Sequence, residues 1–268
     1  MLDSDGNVRD LSEVVPDFSG AALLPESIDR LRQLNPARLP KVDGGPRIGP
    51  CVGAVGKFIC VGLNYSDHAA ESGMPVPSEP IIFMKATSSI AGPHDDLEIP
   101  KGSTKTDWEV ELGVVIGKPA KYVGETNAME HVAGFCVVHD VSERAFQLEG
   151  TGQWVKGKSA DTFGPIGPWL VTPDEVENYH DLDMWLEVDG VRYQNGNTRT
   201  MVFGVPFLVS YLSRFMSLRP GDIISTGTPP GVGHGLKPPV YLRAGNEVRL
   251  GVAGLGEQRQ RVVGYRTI

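Results

Sequence analysis

Short apolar runs broken by glycine and proline set the pattern of this chain, which reads as many strands joined by tight turns with few helices. KFICVGL (57–63), WEVELGVVIG (108–117) and GFCVVHDV (134–141) predict strands, and GDIISTG, NEVRLGV and QRQRVVGY predict more. WLEVDGVRYQ (185–194) predicts a hairpin closed by a two-residue Asp189-Gly190 turn. VPFLVSYLSRFM (205–216) is the clearest amphipathic helix. NYSDHAAESG predicts a short helix with Asn64 as N-cap and Gly73 as its stop, before Pro75, Pro77 and Pro80 force an extended loop. TPDE (172–175) has the form of a capping box with Pro173 at the first helical position. Strands and helices do not alternate regularly, so an α+β fold with a mostly antiparallel or mixed sheet is expected.

Two parts are expected. Residues 1–50 read as a small N-terminal domain and linker: LDSDGNVRDL resembles a hairpin end turning at Asp5-Gly6, PESIDRLRQL a short helix starting at Pro25, and LPKVDGGPRIGP a linker. Residues 51–268 read as the second, larger domain. The formal net charge of −8 opposes nucleic-acid phosphates, so no nucleic-acid partner is expected. No run of about 18 apolar residues exists to span a membrane. Residues 1–20 are acidic and lack an apolar stretch, so no signal peptide is expected. The 3 cysteines, Cys51, Cys60 and Cys136, are an odd number without a C-x-x-C, which fits free thiols in a reducing, cytoplasmic setting.

Candidate chemistry begins at Glu109 and Glu111. In a strand, residues two apart share a face, about 7 Å apart along the backbone, while Trp108, Val110 and Leu112 face the core. Like charges this close raise each other's pKa unless a cation lies between them. Asp140, at the end of GFCVVHD, adds a third carboxylate, and three such oxygens suit Mg²⁺ or Mn²⁺. His139 points to the opposite face and reads as a packed histidine. His68 and Glu71 lie three apart on the short helix, an arrangement that prepares an imidazole as a base or forms a simple surface ion pair.

Two motifs mislead. GQWVKGKS (152–159) matches a phosphate-loop pattern, but Gly164, Pro165, Gly167 and Pro168 follow where that loop needs a helix. GVGHG (231–235) is followed by Pro238 and Pro239, so no helix start is available for a pyrophosphate, although its backbone N–H groups can serve a carboxylate. Serine-hydrolase and zinc-protease signatures are missing.

Taken together, GLNYSDHAAESG, EPIIFMKATSSI, DWEVELGVVIGK, VVHDVSER, WVKGKSADTFGPIGP and STGTPPGVG resemble the fumarylacetoacetate hydrolase family, in the family's order over about 60–235. The resemblance implies a β-roll catalytic domain of the α+β class and a homodimer. It implies Glu109, Glu111 and Asp140 as metal ligands, Lys158 as an active-site lysine, and His68 and Glu71 as a lid dyad that activates water. It implies Thr228 as holding the substrate carboxylate, with Arg144, Gln147 and Lys85 as further substrate-side residues. The family's S-x-R-D run departs here at Ala145. Close relatives carry a strand before LDSDGNVRD, so a late start at Met1 is expected.

The implied reaction is metal-dependent hydrolysis of a C–C bond in a 2,4-dioxo acid, giving pyruvate and a second carboxylic acid such as lactate. HAAESGMPVP, FMKATSSI and SERAFQLE are most similar to 2,4-dioxo-3-deoxy sugar-acid (rhamnonate or fuconate) hydrolases, in a subgroup that includes proteins labelled ureidoglycolate lyase. A decarboxylase or lyase on the same platform is the alternative. A metal-dependent binding protein without turnover is a third, opposed by the His68–Glu71 pair, since binding alone needs no base.

Overall fold

Nine principal strands build two mixed sheets in this computed structural model, which describes residues 1–73 and 75–267. Met74, in the HAAESGMPVP stretch, and Ile268, at the expected domain end, lie outside the described residues. In chain order the strands are β1 (Phe58–Gly62), β2 (Ile81–Lys85), β3 (Val110–Ile116), β4 (Val132–His139), β5 (Asp183–Val188), β6 (Val191–Asn197), β7 (Ile223–Ser225), β8 (Glu247–Val252) and β9 (Gly256–Val263). The first sheet runs β2-β1-β7-β3-β4, with β1 and β7 parallel and the other pairs antiparallel. The second runs β6-β5-β8-β9 and ends on the two-residue strand Leu97–Glu98.

Burial explains the two strand patterns. In β1, Ile59 and Val61 join the core shared with the second sheet, where Met184, Leu186, Val248 and Leu250 sit. Phe58 and Cys60 point the other way, into a separate cluster with Val115, Cys136 and Ile166. Both faces of the first sheet are therefore covered, and its strands are continuous apolar runs. The second sheet is covered on one face, and β5 alternates accordingly: Met184, Leu186 and Val188 are buried between more exposed Trp185 and Glu187. Asp189 and Gly190 close the β5–β6 hairpin with φ of 50° and 77°, the geometry expected of an Asp-Gly turn.

The helices are short: α1 (Pro25–Arg32), α2 (Ser66–Ser72), α3 (Arg144–Leu148), α4 (Val155–Lys158) and α5 (Val205–Ser213). Helix α1 buries Ile28 and Leu31 against Leu11, a small cluster of the N-terminal residues. Three local expectations are corrected. Asn64 is not an N-cap: its side chain is buried and bonds Thr226 and Phe203 across the chain, leaving Tyr65 as the uncapped start of α2. The TPDE segment forms one 3₁₀ turn, Pro173–Glu175, because the Thr172 hydroxyl goes to the Glu175 carboxylate instead of a backbone N–H. Helix α5 ends at Ser213, three residues early. Gly73 does stop α2, at φ 66°. Among the described residues no helix is long and apolar enough to cross a membrane.

Candidate active site

The acidic cluster follows from strand register. Glu109, just before β3, and Glu111, within it, are two apart along an extended segment and share one face, and β3 pairs with β4 so that Val110 opposes His139. Asp140, one residue past β4, donates its N–H to the Glu109 carbonyl at 3.0 Å and so lies beside it. One carboxylate oxygen from each of Glu109, Glu111 and Asp140 falls within 4.8 Å of the others, and all three residues are buried. An octahedral ion with bonds of about 2.1 Å holds its ligands about 3–4 Å apart, so a small inward movement completes the set. All-oxygen, carboxylate-rich donors fit Mg²⁺ or Mn²⁺.

Two buried ammonium groups and a guanidinium brace the cluster. Lys158 Nζ, at the end of α4, lies 2.6 Å from Glu109 Oε2 and 2.8 Å from Asp140 Oδ2. Lys85 Nζ, at the end of β2, lies 2.5 Å from Asp140 Oδ1 and donates to the Val141 carbonyl at 3.0 Å. Arg144 donates to Glu109 (2.7 Å), Asp107 (2.8 Å) and Gln147 (3.0 Å). Among the described residues no cation pairs with Glu111; it accepts from Ser225 Oγ at 2.5 Å and from the Gly227 N–H at 2.8 Å.

The two glutamates consequently titrate apart. Burial works to raise Glu109, but Lys158 and Arg144 outweigh it and hold the group at about 2. Burial, then the charges of Asp140 and Glu109, push Glu111 well above the ordinary carboxylate range. That excess of buried negative charge is what a dication would relieve, so the residues present fit the ion. Burial of His139 lowers it to about 3; its Nδ1 meets Gln260 and it takes no part in the cluster.

Above the cluster, α2 carries the dyad. His68 Nδ1 is 3.1 Å from Glu71 Oε2, and the Glu71 carboxylate accepts from the Gly231 N–H at 3.1 and 3.2 Å. The GVGHG loop thus gives its backbone donors to the protein's own carboxylates: Gly233 and His234 N–H groups bind Asp107 at 2.7 and 2.9 Å. A cavity of about 150 Å³ separates dyad from cluster, lined by His68, Glu71, Glu109, Glu111, Arg144, Gln147, Lys158 and Thr228 among others. Thr228 donates to the Val110 carbonyl and accepts from Gln194. Lys85 does not line this cavity; it stands behind Asp140. A larger cavity of about 270 Å³, between Ile28, Val132 and Pro173, contains none of these groups.

Sequence reasoning missed Asp107, which is fully buried and ties Arg144 to the Gly233–His234 turn. The signal was present: Asp107, Glu109 and Glu111 follow one strand face at period two. Ser225 and Gly227 were also missed, and nothing local marks them.

Residues 57–263 match the family model described as fumarylacetoacetate (FAA) hydrolase, C-terminal. A Burkholderia multivorans protein, named only provisionally as a hydrolase, is 67% identical over 261 residues, covering 97% of this chain and 93% of that protein. A fumarylacetoacetate hydrolase from Exiguobacterium antarcticum has a similar structure, with a TM-score of 0.85 at 33% identity, covering 98% of this chain and 94% of that one. A Mycobacterium abscessus structure titled as a probable 2-hydroxyhepta-2,4-diene-1,7-dioate isomerase has a TM-score of 0.77 at 34% identity, over 92% and 88% of the two chains. With a family match spanning most of the chain and full-length relatives on both measures, this chain belongs to the fumarylacetoacetate hydrolase family.

Proposed function

We propose that this chain hydrolyses the C3–C4 bond of a small 2,4-dioxo acid, releasing pyruvate and a second carboxylic acid, with Mg²⁺ or Mn²⁺ held by Glu109, Glu111 and Asp140. The observation that carries the reading is the convergence of these three buried carboxylates beneath the His68–Glu71 dyad. When bound, the cation supplies Lewis-acid stabilisation for negative charge at the 2-oxo end, the electron sink that C–C cleavage at neutral pH requires.

The remaining chemistry belongs to the chain's own side chains. Glu71, fixed by the Gly231 N–H, orients the His68 imidazole, which takes a proton from water as the water attacks the 4-carbonyl. Lys158 brings a positive charge to the carboxylate cluster and offers it to the enolate that leaves. Thr228, its hydroxyl held between Val110 and Gln194, is placed to meet the substrate carboxylate, with Arg144 and Gln147 beside it. The cavity, room for on the order of five waters, suits a small acid. Sugar-acid and simple acyl forms of the 2,4-dioxo acid are both members of this class. A homodimer in the cytoplasm completes the reading.

The isomerase named among the structural relatives favours one second reading, proton transfer on the same platform without added water. Product analysis separates them. Purified protein is incubated with a panel of acylpyruvates and dioxo sugar acids, with Mg²⁺ or with chelator. Pyruvate plus a carboxylic acid, only with metal, supports hydrolysis; a product isomeric with its substrate supports the second reading; CO₂ or urea points to a decarboxylase or lyase.

A further inference from the structure

We propose that Trp154 sets the acyl-group specificity of this site, closing an apolar wall that admits a slim chain and excludes a bulkier aryl one. The inference rests on the reading above, in which the 2-oxo acid end faces Glu109, Glu111 and Asp140.

The wall runs outward from the reacting end. Lys158, bonded to Glu109 and Asp140, holds its Nζ 5.0 Å from the centre of the Phe83 ring. Phe83 in turn meets Trp154 edge-on, ring centres 5.3 Å apart and planes at 62°. Trp154 and Lys158 are four residues apart across one helical turn, so α4 presents both to the cavity. The segment that imitates a phosphate loop in sequence therefore supplies a cation at one end and an indole at the other. Val61, Leu63 and Leu148 complete this side of the lining. These five side chains, Phe83 and Trp154 included, make one flank of the cavity apolar, while His68, Glu71, Arg144, Gln147, Thr228 and His234 line the rest.

The indole has no room on the β1 side. A Cβ on Gly62 would stand 2.6 Å from Trp154 Cζ3, so the ring is seated directly on the β1 backbone, with Phe83 against it. A cavity of about 150 Å³ bounded by a ring braced in this way selects by length and shape.

The test is calorimetric titration at saturating Mg²⁺ of wild type, Trp154→Ala and Trp154→Phe with 2-oxopentanoate and phenylpyruvate. Wild type should prefer 2-oxopentanoate by about tenfold or more. Trp154→Ala should gain about tenfold for phenylpyruvate, and Trp154→Phe should fall back toward wild type. An unchanged phenylpyruvate affinity in folded Trp154→Ala, or a wild type that binds phenylpyruvate best, overturns the assignment. Should Trp154→Ala fail to fold, Gly62→Ala serves instead. It displaces the indole from its seat on β1 and should change 2-oxopentanoate affinity several-fold while sparing pyruvate; equal effects on both overturn the assignment. Binding is read without turnover. An intact binding order with no cleavage of any 2,4-dioxo acid sinks the reaction and spares the wall, and the reverse sinks only the wall.

Discussion

Replacing each buried glutamate by glutamine should move the stability of the metal-free protein in different ways. Glu109 lies between Lys158 at 2.6 Å and Arg144 at 2.7 Å. A carboxyl held at about 2 instead of near its ordinary 4.5 carries roughly 3 kcal/mol of folding free energy at neutral pH. Removing one partner of a buried ion pair costs about 3–5 kcal/mol. Glu109→Gln should therefore lower the Tm of chelator-treated protein by about 10 °C at pH 7. Because the Glu109 value is depressed, its contribution is full above about pH 4.5 and fades as the pH falls through about 2, so the gap between wild type and variant should narrow on acidification. Glu111 is raised instead, so ionising it costs stability as the pH climbs above about 4.5. Glutamine removes that charge and still accepts from Ser225 and Gly227, so Glu111→Gln should match or exceed the metal-free wild type at pH 7. Both variants should lose the rise that Mg²⁺ gives wild type, about 2.7 kcal/mol at a hundredfold excess over Kd. Scanning calorimetry with chelator and then with Mg²⁺ reads every quantity. Equal shifts for the two variants in chelator, or a wild-type Mg²⁺ rise in either, would refute the reasoning.

His68→Ala should lower kcat by about 10²–10⁴ while leaving binding of oxalate, a mimic of the enolate, unchanged in titration; wild-type turnover would remove the dyad from the mechanism. Since Glu111 is raised well above the ordinary carboxylate range when no cation is present, Mg²⁺ binding should release a proton and tighten as the pH rises toward that raised titration. Titrations in buffers of differing ionisation enthalpy check this, and a heat independent of buffer would count against it. Gly231 has φ of 102° and an added Cβ would lie 1.9 Å from the Tyr193 carbonyl oxygen, while its N–H holds Glu71. Gly231→Ala should thus cost about 2 kcal/mol or more in denaturant unfolding and also reduce kcat; a wild-type unfolding midpoint would contradict both.

Much of the fold was legible because its signals are local. Apolar runs marked the doubly covered strands, period-two alternation marked β5, and Asp189-Gly190 fixed a hairpin that needs positive φ at both turn positions. The face shared by Glu109 and Glu111 was equally local. What escaped depends on residues distant in sequence. Asn64 carries the composition of a helix cap, yet its partners lie 139 and 162 residues away. Asp107 repeats the period of the two glutamates, but its role depends on the Gly233–His234 turn that reaches it. Lys85, expected on the substrate side, stands behind Asp140, where Asp140 Oδ1 and the Val141 carbonyl take its ammonium. The meeting of Gly62, Phe83 and Trp154 comes from three separate segments, and no window along the chain contains it.

Anomalous diffraction from a crystal soaked in Mn²⁺ tests the central claim most directly. The expected result is one strong peak among Glu109, Glu111 and Asp140, about 2.0–2.3 Å from an oxygen of each, with water or a 2-oxo acid completing an octahedron. The contradicting result is no peak there under saturating Mn²⁺, with Lys158 still bridging Glu109 and Asp140 and the three carboxylates unmoved.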